Sequence, residues 1–184
     1  MALGAVFPPG AACVLFLPMI STDIHLRQEE AKLVFLAVAY HLGRPGSELD
    51  PLTKQTVEHG LAEVAAVLQP QLKANEATIG LRAPQAKRLL SGMAGTISEL
   101  KTYPMLQLRD DGSGAPRRSS VPGFDRSLQH LFPELEEDLE LTLDIAEQML
   151  ILRRRIGEET ADLEEEAPPE PPKRKGIWPF GRKG

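Results

Sequence analysis

Leu33-Val34-Phe35-Leu36-Ala37-Val38-Ala39-Tyr40 is apolar at eight consecutive positions. A helix that is apolar all round has no side to show to water, so it belongs in the middle of a bundle with other helices around it. Just upstream, Ser21, Thr22 and Asp23 are N-capping residue types, with Glu29 and Glu30 near the start of the apolar stretch. These signals predict one helix from Asp23 to Leu42, ended by Gly43, Pro45 and Gly46.

Further helices follow on the C-terminal side. Asp50-Pro51 reads as an N-cap with proline at the first helical position. From there Val57, Leu61, Val64, Ala65, Leu68 and Leu72 recur at helical spacing, and Pro70 should kink or end the helix near Gln69. Residues 75–82 read as a connector. Pro84 opens a third helix, whose stripe is Ala86, Leu89, Leu90, Met93, Ile97 and Leu100 and which Pro104 should end. Within it, Gly92 and Gly95 either allow a neighbour to approach closely or simply weaken the helix, by about 1 kcal/mol each relative to alanine. Residues 110–123 are loop by composition, and Phe124, Leu128, Leu131 and Phe132 mark a short helix. From Pro133 the pattern predicts the longest helix, with Leu135, Leu139, Ala146, Met149 and Leu150 inward. Glu134, Glu136, Glu137 and Asp138 crowd its start and Arg153, Arg154 and Arg155 its end, an order that suits the helix dipole. Fraying is expected from Gly157.

Composition agrees with an all-helical reading. The 184 residues favour one domain with appendages, and 42% hydrophobic residues are enough for a core. Aromatics make up only 5%, so that core rests on Leu, Ala, Val and Ile, a mix better suited to helix packing than to a β-sandwich. The expected fold is mainly α: a four- to five-helix bundle with a short N-terminal strand and a disordered C-terminal tail. Residues 1–22 form an apolar extended segment and 23–157 the bundle. Residues 158–172 are an acidic, proline-rich linker and 173–184 a basic, aromatic tip.

The N-terminal segment lacks a basic region, and Pro8, Pro9 and Pro18 interrupt it, so it does not read as a secretory signal. Its run Ala11–Leu17 is far short of the roughly 20 residues a membrane-crossing helix needs, and is expected to lie as a strand against the helices. The single cysteine, Cys13, excludes an intrachain disulfide and reads as a small buried hydrophobe. A cytoplasmic location is the expectation.

The motifs that carry chemistry are missing. The residues three before His25, His41, His59 and His130 are Thr22, Val38, Thr56 and Ser127, so the Glu-x-x-His spacing of di-iron bundles does not occur. Nor does a His-x-x-x-His zinc pair. Each histidine reads as solvent-facing or satisfied at a helix end. Gly112-Ser-Gly-Ala-Pro-Arg117 has arginine where a dinucleotide fingerprint needs its third glycine. Gly176–Lys183 approaches a phosphate-loop spacing, but no helix follows to hold a phosphate. Arg117-Arg118-Ser119-Ser120 resembles a basophilic kinase site, although such short motifs are common in solvated loops. No catalytic residue, cofactor or metal is expected, and the chain reads as non-enzymatic.

The tail alone has functional character. Seven acids and no base lie between Glu158 and Glu170, and Pro168, Pro169, Pro171 and Pro172 favour an extended polyproline spacer. Five bases then fall at Lys173, Arg174, Lys175, Arg182 and Lys183, around Ile177, Trp178 and Phe180. Without those five, the chain has sixteen bases against twenty-six acids: the remaining chain, acidic linker included, carries −10 and the tip +5. An acidic body argues against nucleic acid as a partner. Ile177, Trp178 and Phe180 either fold back onto the helices or dock a protein partner together with Lys173, Arg174 and Lys175. Docking is the leading expectation, because exposed aromatics in a polar tail are costly without a partner. It implies an adaptor or assembly factor. The alternative is a peripheral membrane protein whose five bases make weak contact with anionic lipid, each base worth about 1 kcal/mol near a charged leaflet.

Overall fold

A computed structural model describes residues 20–52, 59–108, 119–136, 138 and 140–165. The predicted strand Ala11–Leu17, Cys13, the loop arginines 117 and 118, and the tail from residue 166 lie outside the described residues.

The chain is mainly α, as the composition implies. Strand β1 (Thr22–Arg27) leads into α1 (Gln28–Gly43), followed by α2 (Leu61–Leu68) and strand β2 (Glu76–Leu81). Then come α3 (Ala83–Leu108), α4 (Phe124–Leu131), α5 (Leu141–Glu159) and the single turn α6 (Asp162–Glu165). Among the described residues, no helix is long and apolar enough to cross a membrane.

Helix α1 occupies the centre. It packs against α2, α3, α4 and α5, and Leu33, Val34, Leu36, Ala37 and Val38 are buried to 2% exposure or less. The stripe on α3 is confirmed in Ala86, Leu89, Met93, Ile97 and Leu100, all buried. The two glycines on that helix serve close approach. A Cβ on Gly92 would stand 3.0 Å from the Ala37 carbonyl oxygen, and one on Gly95 would collide with the Tyr40 ring. The Tyr40 ring in turn stacks edge-on against Phe124 of α4, at 5.6 Å between centroids.

Several boundaries differ from expectation. Residues 22–27 are a strand rather than the first turns of a helix, and the connector at 75–82 is its antiparallel partner, Thr22 opposite Leu81 and Arg27 opposite Glu76. Period-two alternation explains both: Ile24, Leu26, Ala77, Ile79 and Leu81 are buried while His25, Arg27, Thr78 and Gly80 face out. Helix α1 therefore starts at Gln28, and Glu30 caps it by accepting the Arg27 N–H at 2.8 Å.

Pro51 and Leu52, next to Asp50, form a turn, and the stretch 53–58 of the predicted helix lies outside the described residues. The Asp50 carboxylate accepts the N–H groups of Gly46 and Leu52 at 2.6 and 2.9 Å, and among the described residues the next helix, α2, begins at Leu61. Pro70 ends α2 as expected, in a 3₁₀ turn over Gln69–Gln71. Pro104 does not end α3, which runs on to Leu108. Buried Leu100 and Tyr103 on the preceding turn hold that helix across the missing N–H.

The acids after Pro133 stand within one or two turns of each other and repel. They leave a 3₁₀ turn at Pro133–Glu136, and the Asp138 carboxylate accepts the Glu140 N–H at 2.9 Å immediately before α5. Helix α3, at 26 residues, is thus longer than α5 at 19. On α5, Ala146 and Met149 point inward, but Leu150 is 49% exposed, because the buried stripe continues through Leu152 and Ile156 instead. Gly157 lies inside α5, and burial persists through Thr160 and Leu163.

Candidate functional site

Two of the recesses among the described residues gather polar side chains. The larger is a groove of about 520 Å³ between the β1–α1 junction and α5. Its apolar part is Leu33 on α1 with Ile151 and Leu152 on α5. Leu33 and Leu152 are buried at 2 and 3% exposure, whereas Ile151 stands 66% exposed at the lip. Arg27, Glu29, Glu30 and Arg155 supply charge at the rim.

Arg155 holds the groove's walls together. Its Nη2 lies 3.1 Å from Glu30 Oε2 and donates to the His25 carbonyl of β1 at 3.3 Å. One guanidinium thus ties α5 to both the strand and the capping carboxylate of α1. Its Nε is buried without a hydrogen-bond partner, since Glu159 Oε1 is 3.8 Å away, beyond hydrogen-bonding range. Nearby, Arg153 donates from Nε to the Leu90 carbonyl at 3.0 Å, anchoring α5 to α3.

The second place is a polar corner where α3 meets the start of α2. Gln85, only 4% exposed, donates from Nε2 to the Gly60 carbonyl and to Glu63, both at 3.3 Å, and accepts the Arg82 N–H at 3.1 Å. Arg88 donates to the His59 carbonyl at 3.0 Å, and the Arg82 guanidinium meets the His59 ring. The first turn of α2 is capped by Glu48, which accepts the Ala62 N–H at 2.6 Å. His59 adopts φ +55°, a left-handed conformation that costs a non-glycine residue about 1–2 kcal/mol. These groups satisfy one another and fix α2 on α3.

The other histidines follow the same pattern. His25 bonds through Nδ1 to Thr78 Oγ1 at 3.1 Å across the sheet, and His130 is exposed in the last turn of α4. His41 departs from expectation: it ends α1, yet its Nδ1 is buried with no partner. Burial lowers its pKa below the usual histidine value, helped by Arg44 and Arg88 and opposed by Glu48. Among the described residues, no three His, Cys, Asp or Glu side chains gather closely enough to hold a metal ion.

Ser119, read in the sequence as part of a kinase-like motif, is engaged in packing. Its hydroxyl donates to Glu99 Oε1 at 2.6 Å and accepts the Val121 N–H at 3.1 Å, while Asp125 accepts its own N–H.

The residues singled out in the tail, Lys173, Arg174, Lys175, Ile177, Trp178 and Phe180, lie outside the described residues. Sequence reasoning passed over the groove because its walls come from segments far apart in the chain. The one available signal was Ile151, an isoleucine displaced from the buried stripe of α5. No family model matches the sequence, and no curated protein or solved structure matches the chain.

Proposed function

We propose that the protein is a non-enzymatic adaptor or assembly factor, with a helical body that engages one protein partner and a C-terminal tip that docks a second. The observation that carries this reading is the placement of the only tryptophan. Trp178 lies with Ile177 and Phe180 in a tip of charge +5, beyond a proline-rich acidic spacer, and the rest of the chain, spacer included, carries −10. Aromatics supply binding energy at interface centres, and flanking bases speed encounter with an acidic partner. Joining two docking elements in one chain raises the effective concentration of one partner near the other. The described groups of the α2–α3 corner support this reading indirectly, being used in caps and inter-helix ties.

The test is affinity capture comparing the full chain with a chain ending at Ala167. A partner held by the full chain should be lost from the truncated one. Trp178→Ala should weaken its binding about thirtyfold, the equivalent of about 2 kcal/mol. A partner retained equally by both chains would remove the tip from the function. Sedimentation with anionic vesicles that depends on the five bases, without protein capture, would transfer the tip to a lipid surface.

A further inference from the structure

The groove and the face of α5 beside it carry a charge order that matches the chain's own tip in reverse. Asp144, Glu147, Ile151, Arg155 and Glu158 recur at three- and four-residue steps, so they lie along one side of the helix. All are at least partly exposed, and Ile151, at 66%, stands beside the buried Leu33 and Leu152. Asp144 and Glu147 thus lie on the N-terminal side of this apolar centre; on its C-terminal side Glu158 and Glu159 follow the exposed Arg154, and Glu159 stands 3.8 Å from Arg155. From Leu141 to Leu152 the helix has no base. Arg155 is committed to Glu30 and the His25 carbonyl. The tip reads bases (Lys173, Arg174, Lys175), apolar residues (Ile177, Trp178, Phe180), bases (Arg182, Lys183).

We propose that in the free chain this tip folds back along α5, antiparallel to it, with Trp178 and Phe180 covering Ile151 and the groove. The spacings agree. Glu159 to Ile151 is about 12 Å of helix and Ile151 to Asp144 about 10 Å. In an extended tip, Lys175 to Trp178 is about 10 Å and Trp178 to Arg182 about 13 Å. Reach is ample: the thirteen residues from Glu165 to Trp178 span about 40 Å as polyproline, and the groove lies at most about 21 Å of helix away. The occupant is the chain's own tip rather than a second copy's, because a short tether gives an effective concentration on the order of millimolar. Each surface removes the other's exposed apolar area from water. The inference rests on the reading of the tip as a docking segment and adds that the body holds the tip until a partner competes for it.

The experiment follows the emission of Trp178 in the full chain, with acrylamide as quencher. The expected result is blue-shifted, shielded emission that does not change on dilution and moves toward that of a wet indole in high salt. Ile151→Glu alters an exposed side chain, so its circular dichroism should match the unaltered protein while its Trp178 emission becomes that of a wet indole. Asp144→Lys combined with Glu147→Lys should produce a smaller change in the same direction. Wet-indole emission from the unaltered chain overturns the proposal, as does shielding that survives Ile151→Glu. Shielding lost on dilution overturns it too, by giving the groove to a second copy. The adaptor reading is judged separately, by partner capture: under this scheme Ile151→Glu should capture more partner than the unaltered chain. Shielded emission without tail-dependent capture would leave the clasp standing and the adaptor reading refuted.

Discussion

A methyl group on residue 95 would land on the ring of Tyr40, and the ring is already committed to Phe124. Gly95→Ala should therefore destabilise the fold, by about 1–3 kcal/mol, even though alanine is the better helix former. Urea unfolding measures this directly, and a stabilised variant would mean that α1 and α3 are not held so closely. The glycines are visible in the sequence, but their role is not, since nothing local to α3 reveals that Tyr40 and Ala37 press against it. His41 is a second case of a role set by distant neighbours. Its pKa is lowered in the folded state, chiefly by burial, so below the ordinary histidine value the unfolded chain takes up a proton more readily than the folded one. Stability supplied by neutral His41 is thus present above about pH 6.5 and is lost as pH falls below that value toward the lowered folded pKa. His41→Leu should flatten the decline in urea midpoint between neutral pH and about pH 5.5. An unchanged slope would assign the decline to other groups.

At the scale of the element, the helices were legible wherever apolar residues recur at helical spacing or fill every face. The α3 stripe, the short α4 and the all-apolar α1 are such cases. The sheet was not legible, because Ser21-Thr22-Asp23 offers capping chemistry immediately before Ile24-His25-Leu26, and two alternating apolar residues are too few to outweigh it. Its partner lies about fifty residues away, which hides the pairing that stabilises both strands. A two-stranded sheet leaves two edges open to stray pairing, and here side chains occupy them. On β2, the Gln71 amide both donates to the Thr78 carbonyl at 3.2 Å and accepts the Thr78 N–H at 3.0 Å, standing in for a third strand. On β1, Arg155 takes the His25 carbonyl and Glu30 the Arg27 N–H. Gln71→Ala should cost about 1 kcal/mol, since water can replace an exposed partner. It should also speed hydrogen exchange of the Thr78 amide, and an unchanged exchange rate would show that the edge is closed by something else.

For the whole molecule, the question is where the folded body stops, because that sets how much chain is free to act as a tether. The abrupt change from periodic apolar residues to acids places the end near Gly157 when only composition is considered. Packing places it later. Ile156 is fully buried, and Thr160 follows at 3% exposure, its N–H and hydroxyl both bonded to the Ile156 carbonyl, at 3.0 and 2.7 Å. Leu163 then returns to the body at 6% exposure on the single turn of α6. A lone leucine among Asp162, Glu164 and Glu165 gives a weak signal in sequence, yet burying one such side chain is worth about 1.5–3 kcal/mol. Two truncations separate the boundaries. A chain ending at Ala167 keeps every described contact, so it should unfold in one cooperative transition. A chain ending at Gly157 loses Leu163, the Thr160 bonds and the Glu159 carboxylate beside Arg155, and leaves Ile156 on a fraying end. It should be less stable than the chain ending at Ala167 by about 2 kcal/mol or more, read as a lower urea midpoint. Equal midpoints would show that residues 158–163 add nothing to the body and would return the boundary to Gly157.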